Sequence, residues 1–423
     1  MKFRNVRYQK CRDPLLYILV FSIIFQSGTV QASTNSSDLV FLITRILMLF
    51  LPLLLYLFNV NREKKVAIKF VVLVILFELF AVINYCLYSQ SAITLQYKIL
   101  LFVLFYLLLS SSSKMISRME EIIYNTILFI AIVTILFYVI VEILKLPLPY
   151  TIYQKADGYS FTYRNYFYIY YSYHNATFPR LSGLFTEPGM FQIYMNFALF
   201  LFYKKKNKNK IQLLILLLNI LFAQSTSGYI VATILLATIL TSWKKMSMSN
   251  RTLLGIILGV VTIVVVLIVF IQKRESTNIA GDSYFDRMAQ AKLGVELFLQ
   301  KPIMGWGFYN TTQYGNLDVT NSGNSNGLLS WLYTTGLVGL FLALFPFVYN
   351  LKRSISSSEK WEKIVWMFFI LIENMVEPIY SLSIMVFVLT YEYFQMINIK
   401  KIRKSSIIRF SDSSLRVDVK KSE

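Results

Sequence analysis

The chain has 423 residues, of which 56% are hydrophobic and only 15% are charged, and its mean hydropathy is +0.56. A soluble domain of this size carries far more charge, so this composition excludes an ordinary soluble protein. The formal charge of +20 raises the question of nucleic-acid binding, while two cysteines and one histidine exclude a disulfide framework and a multi-histidine metal centre.

Long apolar runs follow one another along the chain, and about 18 such residues in a row cross the hydrocarbon core of a membrane as a helix. The runs lack the alternation of membrane β-barrel strands. We therefore predict an all-α, polytopic transmembrane bundle of about 12 helices. The predicted spans are Pro14–Val30, Leu39–Val60, Val66–Tyr88, Tyr97–Leu109, Ile122–Leu144, Met190–Phe202, Ile211–Ala223, Tyr229–Trp243, Leu253–Ile271, Gly327–Leu351, Ile364–Ile372 and Tyr380–Ile397.

The basic residues predict the orientation of these spans. Most of the 42 Lys and Arg residues fall in alternate connecting segments, as cytoplasmic loops do, and Arg45 and Lys69 lie within spans. Both termini are therefore expected in the cytoplasm, and the positive charge reflects membrane topology rather than nucleic-acid binding. Residues 1–404 form one transmembrane domain, and the polar tail 405–423 is expected to be cytoplasmic and disordered.

The first predicted span also has features of a cleavable signal peptide. A basic start, the apolar stretch Leu15–Phe25 and the sequence Val30-Gln31-Ala32 are typical of one. We favour a retained span, and cleavage would leave the remaining topology unchanged.

Two outer loops are long, at about 145–189 and 272–326, and the first is rich in tyrosine. Its last part, Arg180–Gly189, is the most specific motif. The planar fork of Arg180 suits a pyrophosphate, and Glu187 suits a proton acceptor for a hydroxyl. A structural interpretation is equally open, because Thr186 and Pro188 suit a helix start and an interfacial Arg can snorkel.

The second loop is predicted to contain an amphipathic interfacial helix at 284–301, followed by Pro302–Phe308. Aromatic side chains in either loop can stack on sugar rings, and they are equally typical of a membrane interface. Amides at 321–326 suit sugar hydroxyls or an anion, with helix capping as the alternative. The candidate binding residues are His174, Gly183, Arg274, Gly305, Trp306, Gly307, Asn324 and Asn326.

Buried carboxylates are costly inside a membrane unless they are paired or solvated. Glu373 and Glu377 lie near the end of the penultimate span, and Glu377-Pro378 is expected at the outer tip between the last two spans. No Asp-x-Asp pair supports a divalent metal, and no P-loop supports an ATP-driven pump. No cofactor is expected.

These motifs, in this order and topology, resemble the Wzy-type polymerases of O-antigen and capsular polysaccharide, which share a superfamily with the O-antigen ligases. The ligases carry Arg-x-x-x-Leu, and Arg180 to Leu184 fits it. They also carry a His before the position of Asn326, which is followed by Gly336 and Gly339 at matching spacing. Because Ser325 stands in place of that His, the resemblance favours a polymerase.

The resemblance implies a metal-independent glycosyltransferase in the bacterial cytoplasmic (inner) membrane, which polymerises undecaprenyl-pyrophosphate-linked repeat units at the outer face. Arg180 and Arg287 would stabilise the leaving pyrophosphate, and Glu187 would orient or deprotonate the acceptor hydroxyl. A flippase and a chain-length regulator would be partners besides the bilayer. An O-antigen ligase and a lipid-linked oligosaccharide flippase are the alternatives, although no internal repeat typical of transporters is evident.

Overall fold

The computed structural model describes residues 2–34, 39–58, 67–88, 92–112, 114–154, 162–173, 180–205, 208–243, 279–308, 310, 326–357 and 359–414. The predicted span Leu253–Ile271 lies outside these ranges. The described helices are α1 (Lys2–Phe25), α2 (Val30–Thr34), α3 (Leu39–Leu57), α4 (Ile68–Tyr88), α5 (Ala92–Ser110), α6 (Met115–Tyr138), α7 (Pro188–Lys204), α8 (Lys210–Ala223), α9 (Thr226–Trp243), α10 (Ile279–Gln300), α11 (Gly327–Ser354), α12 (Lys360–Val376) and α13 (Ser383–Ser414).

Five described segments are long and apolar enough to cross a membrane: Leu39–Leu57, Ile68–Tyr88, Ile93–Ser110, Met115–Ile143 and Gly327–Ser354. Three shorter helical segments are also apolar: Asp13–Phe25, Lys210–Ala223 and Thr226–Thr241. The prediction of a mostly helical membrane protein is confirmed. The number of about 12 spans and the orientation of the termini stay predictions, and α13 continues to Ser414, into the expected tail.

Helix α7 is the centre of the bundle. Every residue from Met190 to Phe202 is buried, and α6, α8 and α9 pack around it. Helices α3 and α4 instead expose large apolar side chains, such as Ile75 and Leu79. In a membrane protein such side chains face lipid, so α3 and α4 lie at the periphery of the bundle.

The first long loop contains an antiparallel sheet that the sequence analysis did not predict. Its strands are β1 (Thr151–Gln154), β2 (Thr162–Tyr166) and β3 (Tyr170–Tyr173), paired in the order β1-β2-β3. Four of its tyrosines are almost fully buried: Tyr163, Tyr166, Tyr170 and Tyr171. Burial raises the pKa of Tyr166 and Tyr170 above its ordinary value, so both phenols stay protonated. These rings pack inside the protein and are not free to stack on a sugar.

The two ends of the bundle differ in chemistry. At one end, where α6 and α12 begin and α7 ends, Lys204 Nζ lies 2.6 Å from Glu120 Oε1 and 3.3 Å from Glu362 Oε1. Helix α7 begins at the opposite end, where the bridge between Thr29 and Phe185 also lies. The segments Arg180–Gly189 and Pro302–Phe308 therefore lie at the end away from this ionic network.

Candidate functional site

The segment that begins at Arg180 is held by backbone hydrogen bonds to two neighbouring elements. Leu181 N donates to Phe222 O (3.0 Å) at the end of α8. Val30 N donates to Leu184 O (3.0 Å), and residues 181–186 are all buried. The segment is therefore a rigid part of the bundle.

Arg180 is half-buried beside the turn that joins α8 and α9. Its Nη2 donates to Gln224 O (2.9 Å), and Gln224 adopts a left-handed conformation with a φ of 51°. A guanidinium that is anchored by a hydrogen bond keeps a fixed direction. This geometry suits a positioned cation better than a snorkelling side chain.

Gly183 has a role in packing. Its φ is +58°, and a Cβ atom there would lie 2.7 Å from Thr134 Oγ1 of α6. Its carbonyl accepts a hydrogen bond from Tyr171 N (2.9 Å) of β3. The glycine therefore joins the sheet to the bundle, and its predicted contact with substrate stays a prediction.

Glu187 is the residue that immediately precedes α7. It is exposed, and its carboxylate makes no capping hydrogen bond to the helix. Thr186 lies one residue before the N-cap position, which Glu187 holds, and its hydroxyl donates to Gly28 O (3.3 Å). Pro188 occupies the first turn, as expected. The structural interpretation thus accounts for Pro188 but leaves the Glu187 carboxylate at the surface.

The segment Pro302–Phe308 is bound to a break in α11. Gly336 has a φ of +63° and a ψ of −167°, which interrupts the helix. Trp306 N donates to Tyr333 O (2.9 Å), and Gly307 N donates to Thr334 O (2.9 Å). In return, the two amides that follow Gly336 donate to the carbonyls of Pro302 (2.8 Å) and Ile303 (3.2 Å).

This exchange satisfies the backbone groups that the break would otherwise leave unpaired inside a membrane. Gly305 and Gly307 have φ values of +69° and +104°, which side chains other than glycine rarely adopt. Trp306 Nε1 donates to Leu297 O (2.8 Å), and Lys301 Nζ lies 3.9 Å from the ring centroid. One face of the indole is therefore occupied by a cation.

Asn326 caps α11, because its side chain accepts a hydrogen bond from Leu329 N (3.1 Å). Helix capping was one of the two interpretations of this residue. Arg287 lies in α10, and its side chain is outside the described part of the structure. His174, Arg274 and Asn324 also lie outside the described residues.

Glu377 connects the end of the motif Arg180–Gly189 to the start of α11, although it was not among the predicted site residues. A Cβ atom on Gly189 would collide with Glu377 Oε1, and one on Gly327 would collide with Glu377 O. The end of α12 is thus in contact with the first turns of α7 and α11. The signal in the sequence was the Glu-Pro pair that ends an apolar run, which indicates an outer tip but not its neighbours.

Below Glu377, a buried polar cluster joins α7 to α12. Gln192 Nε2 donates to Glu373 Oε2 (2.8 Å), and Asn196 Nδ2 donates to Glu373 Oε1 (3.3 Å). All three side chains have no exposed surface. The amide donors supply the hydrogen bonds that a carboxyl group needs inside a membrane.

The comparison with known families adds one match. Residues 211–344 match the family model described as O-Antigen ligase, Wzy_C. The matched region runs from α8 into α11, and so includes Gly305, Gly307 and Gly336 but not Arg180. No curated protein and no solved structure matches the chain.

This match supports a relationship to the superfamily of O-antigen ligases and polymerases, and with it a role connected with O-antigen or polysaccharide biosynthesis. The matched residues include the break in α11 and the segment bound to it. The first motif precedes the matched region.

Proposed function

We propose that this protein polymerises oligosaccharide repeat units carried on undecaprenyl pyrophosphate into O-antigen or capsular polysaccharide. The main support is the contact of Glu377 with both Gly189, at the end of the first motif, and Gly327, at the start of α11 beside Asn326. The family match at 211–344 supports the same class of chemistry.

In this reaction a sugar hydroxyl of one repeat unit attacks the anomeric carbon of the growing chain. A glycosidic bond forms, the bond to pyrophosphate breaks, and the pyrophosphate leaves on its lipid. Glu187 takes the proton of the attacking hydroxyl, which suits its exposed carboxylate free of capping bonds. Arg180 and Arg287 stabilise the charge that develops on the leaving group.

The electrostatics of the region support an anionic leaving group. Helices α7 and α11 both begin beside Glu377, and a helix N-terminus carries a partial positive charge. The anchored guanidinium of Arg180 precedes α7 by a few residues. The fixed cation favours a pyrophosphate over a neutral ligand, while the Glu377 carboxylate offsets part of the positive charge of the helix starts.

The remaining assignments complete this proposal. The sugars contact His174, Gly183, Arg274, Gly305, Trp306, Gly307, Asn324 and Asn326. The protein lies in the bacterial inner membrane with both termini in the cytoplasm and uses no metal. A flippase supplies its substrate, and a chain-length regulator acts with it.

The size profile of surface and lipid-linked glycan in a deletion strain tests the proposal. We expect a surface that carries single repeat units only, and restoration of long chains by the wild-type gene. Intermediates retained at the inner leaflet would contradict the proposal and indicate a flippase.

Ligation is the second candidate, because the matched family model is described as O-Antigen ligase. A ligase transfers a finished chain from the lipid to a different acceptor. The deletion strain would then accumulate long chains on undecaprenyl pyrophosphate, and the substitution of Ser325 for His would not indicate a polymerase.

A further inference from the structure

Two cations lie within apolar helices, close to one tyrosine ring. Arg45 Cζ of α3 is 5.4 Å from the ring centroid of Tyr97, and Lys98 Nζ of α5 is 5.8 Å from the same centroid. The two positive groups are close enough to repel each other electrostatically. Charges inside a membrane are costly, so a charged side chain there indicates a functional site whose partner must be found.

The neighbouring helices offer these cations no acidic partner. Helices α3, α5 and α11 contain no Asp or Glu. Glu78 of α4 accepts a hydrogen bond from Gln96 instead (2.9 Å), and Glu392 of α13 lies 3.4 Å from Lys363. Within the described part of the chain, neither Arg45 nor Lys98 forms an ion pair.

A third donor points to the same missing partner. The hydroxyl of Tyr97 is buried and has no hydrogen-bond partner among the described residues. Arg45 and Lys98 each lie about six residues after the first residue of their helix. At about 1.5 Å per residue, Arg45, Tyr97 and Lys98 therefore lie about 9 Å from the ends at which α3 and α5 begin. Three donors without an acceptor suit an anion with several oxygens.

An apolar cavity adjoins Lys98. Its volume is about 90 Å³, below the roughly 300–1,000 Å³ typical of pockets that enclose a whole ligand, so it can take only part of a long chain. Its walls come from α4, α5, α11 and α13, together with Phe308. Trp331 and Tyr380 also line it, and their stacked rings lie close to the motif end of the bundle (centroids 5.5 Å apart).

We propose that this cavity takes the first part of the prenyl chain of a lipid phosphate, next to a phosphate that is bound by Arg45, Lys98 and Tyr97. The apolar walls match a hydrocarbon chain, and the two cations match the charge of its head group. Arg45 is exposed on the outer surface of the bundle, so the site opens toward the bilayer from which a lipid enters.

The choice of a prenyl lipid rests on the proposed function. A polymerase must hold two lipid-linked substrates at once, whereas Arg180 is anchored at the turn between α8 and α9. The pocket beside Lys98 is formed by different helices. It therefore supplies a second lipid-phosphate site for the same reaction.

Photoaffinity labelling of the full-length protein tests this site. The protein is placed in phosphatidylcholine nanodiscs with undecaprenyl phosphate that carries a diazirine on its chain, and labelled peptides are mapped by mass spectrometry. We expect the label on cavity residues such as Phe308 and Leu342. Labelling should fall at least tenfold in Arg45→Gln/Lys98→Gln and severalfold in the milder variant Tyr97→Phe.

Lys69→Gln is the matched control, because Lys69 lies near the opposite end of α4 and should leave labelling within twofold. Unchanged labelling in the double variant would overturn the proposal. So would equal competition by undecaprenol, which lacks the phosphate, or by phosphatidylglycerol, which would indicate an ordinary anionic lipid. Labelling measures lipid binding alone. Normal glycan in a deletion strain would therefore refute polymerisation but would not contradict lipid binding at this site.

Discussion

At the scale of single residues, the first motif combines structural and chemical roles. Gly183 and Pro188 are explained by packing and helix geometry. Glu187 is not explained in this way, because it is exposed without a capping bond, and Arg180 is a charged side chain held by a hydrogen bond to Gln224 O. The proposed chemistry of the motif therefore depends on these two charged side chains.

Gly183→Ala should destabilise the protein. The positive φ and the contact with Thr134 Oγ1 both oppose a Cβ atom, and strain of this kind costs about 1–3 kcal/mol. Thermal unfolding in detergent measures the effect. The double variant Gly183→Ala/Thr134→Ala should recover part of the loss, since it removes the collision but not the backbone strain. An unchanged melting temperature in the single variant would refute this role.

Arg180→Lys should leave the protein folded and reduce glycan polymerisation at least tenfold. A lysine keeps the charge but loses the planar fork that binds a phosphate through two nitrogens. Chain length in the complemented deletion strain measures the effect, and Lys360→Arg, an exposed site at the other end, is the control. Full activity in Arg180→Lys would exclude the two-nitrogen contact.

Glu187→Gln should also abolish polymerisation while stability stays unchanged. The amide cannot accept the proton of the hydroxyl, and the carboxylate makes no capping bond whose loss would weaken α7. Polymerisation and melting temperature are measured together, with Glu121→Gln as an exposed control. Normal chains from the Gln variant would show that another group accepts the proton.

At the scale of elements, apolar runs predicted most helices because burial in lipid requires both length and hydrophobicity. The turn between β2 and β3 has no glycine, and Phe167 and Tyr168 adopt positive φ values of 56° and 60° there. The sheet was missed because this turn gives no signal and the Asp157-Gly158 pair between β1 and β2 was not used as one. The exchange of hydrogen bonds at Gly336 was also missed, since it depends on a partner segment that is distant in sequence.

Gly336→Ala should detach the segment Pro302–Phe308 from α11. Its backbone conformation is close to one that only glycine adopts, and a Cβ atom would collide with Ile303 O. Hydrogen exchange should then accelerate at the amides of Trp306 and Gly307. Leu337→Ala, which changes an exposed neighbour, should leave both amides protected. If both amides stay protected in Gly336→Ala, their hydrogen bonds to α11 do not depend on the break at Gly336.

At the scale of the whole molecule, the two ends have separate tasks. The ionic network around Lys204 holds α6, α7 and α12 together at one end, and the candidate site lies at the other. Composition and charge predicted the membrane class. They did not predict that Glu377 connects the first motif to α11, because this contact depends on how α7, α11 and α12 pack.

Lys204→Met should lower stability by about 1–3 kcal/mol, because it leaves the partly buried carboxylates of Glu120 and Glu362 without their cation. Polymerisation by the folded fraction should be unchanged. Unfolding in detergent and glycan length are measured side by side, with exposed Lys360→Met as control. Loss of activity without loss of stability would show that the two ends are coupled.

Reconstitution tests the central claim most directly. The purified protein is placed in nanodiscs with undecaprenyl-pyrophosphate-linked repeat units as sole substrate, and the products are separated by length. We predict a ladder of chains that remain attached to the lipid, absent with Glu187→Gln. Recovery of single repeat units only, from folded wild-type protein, would contradict polymerisation.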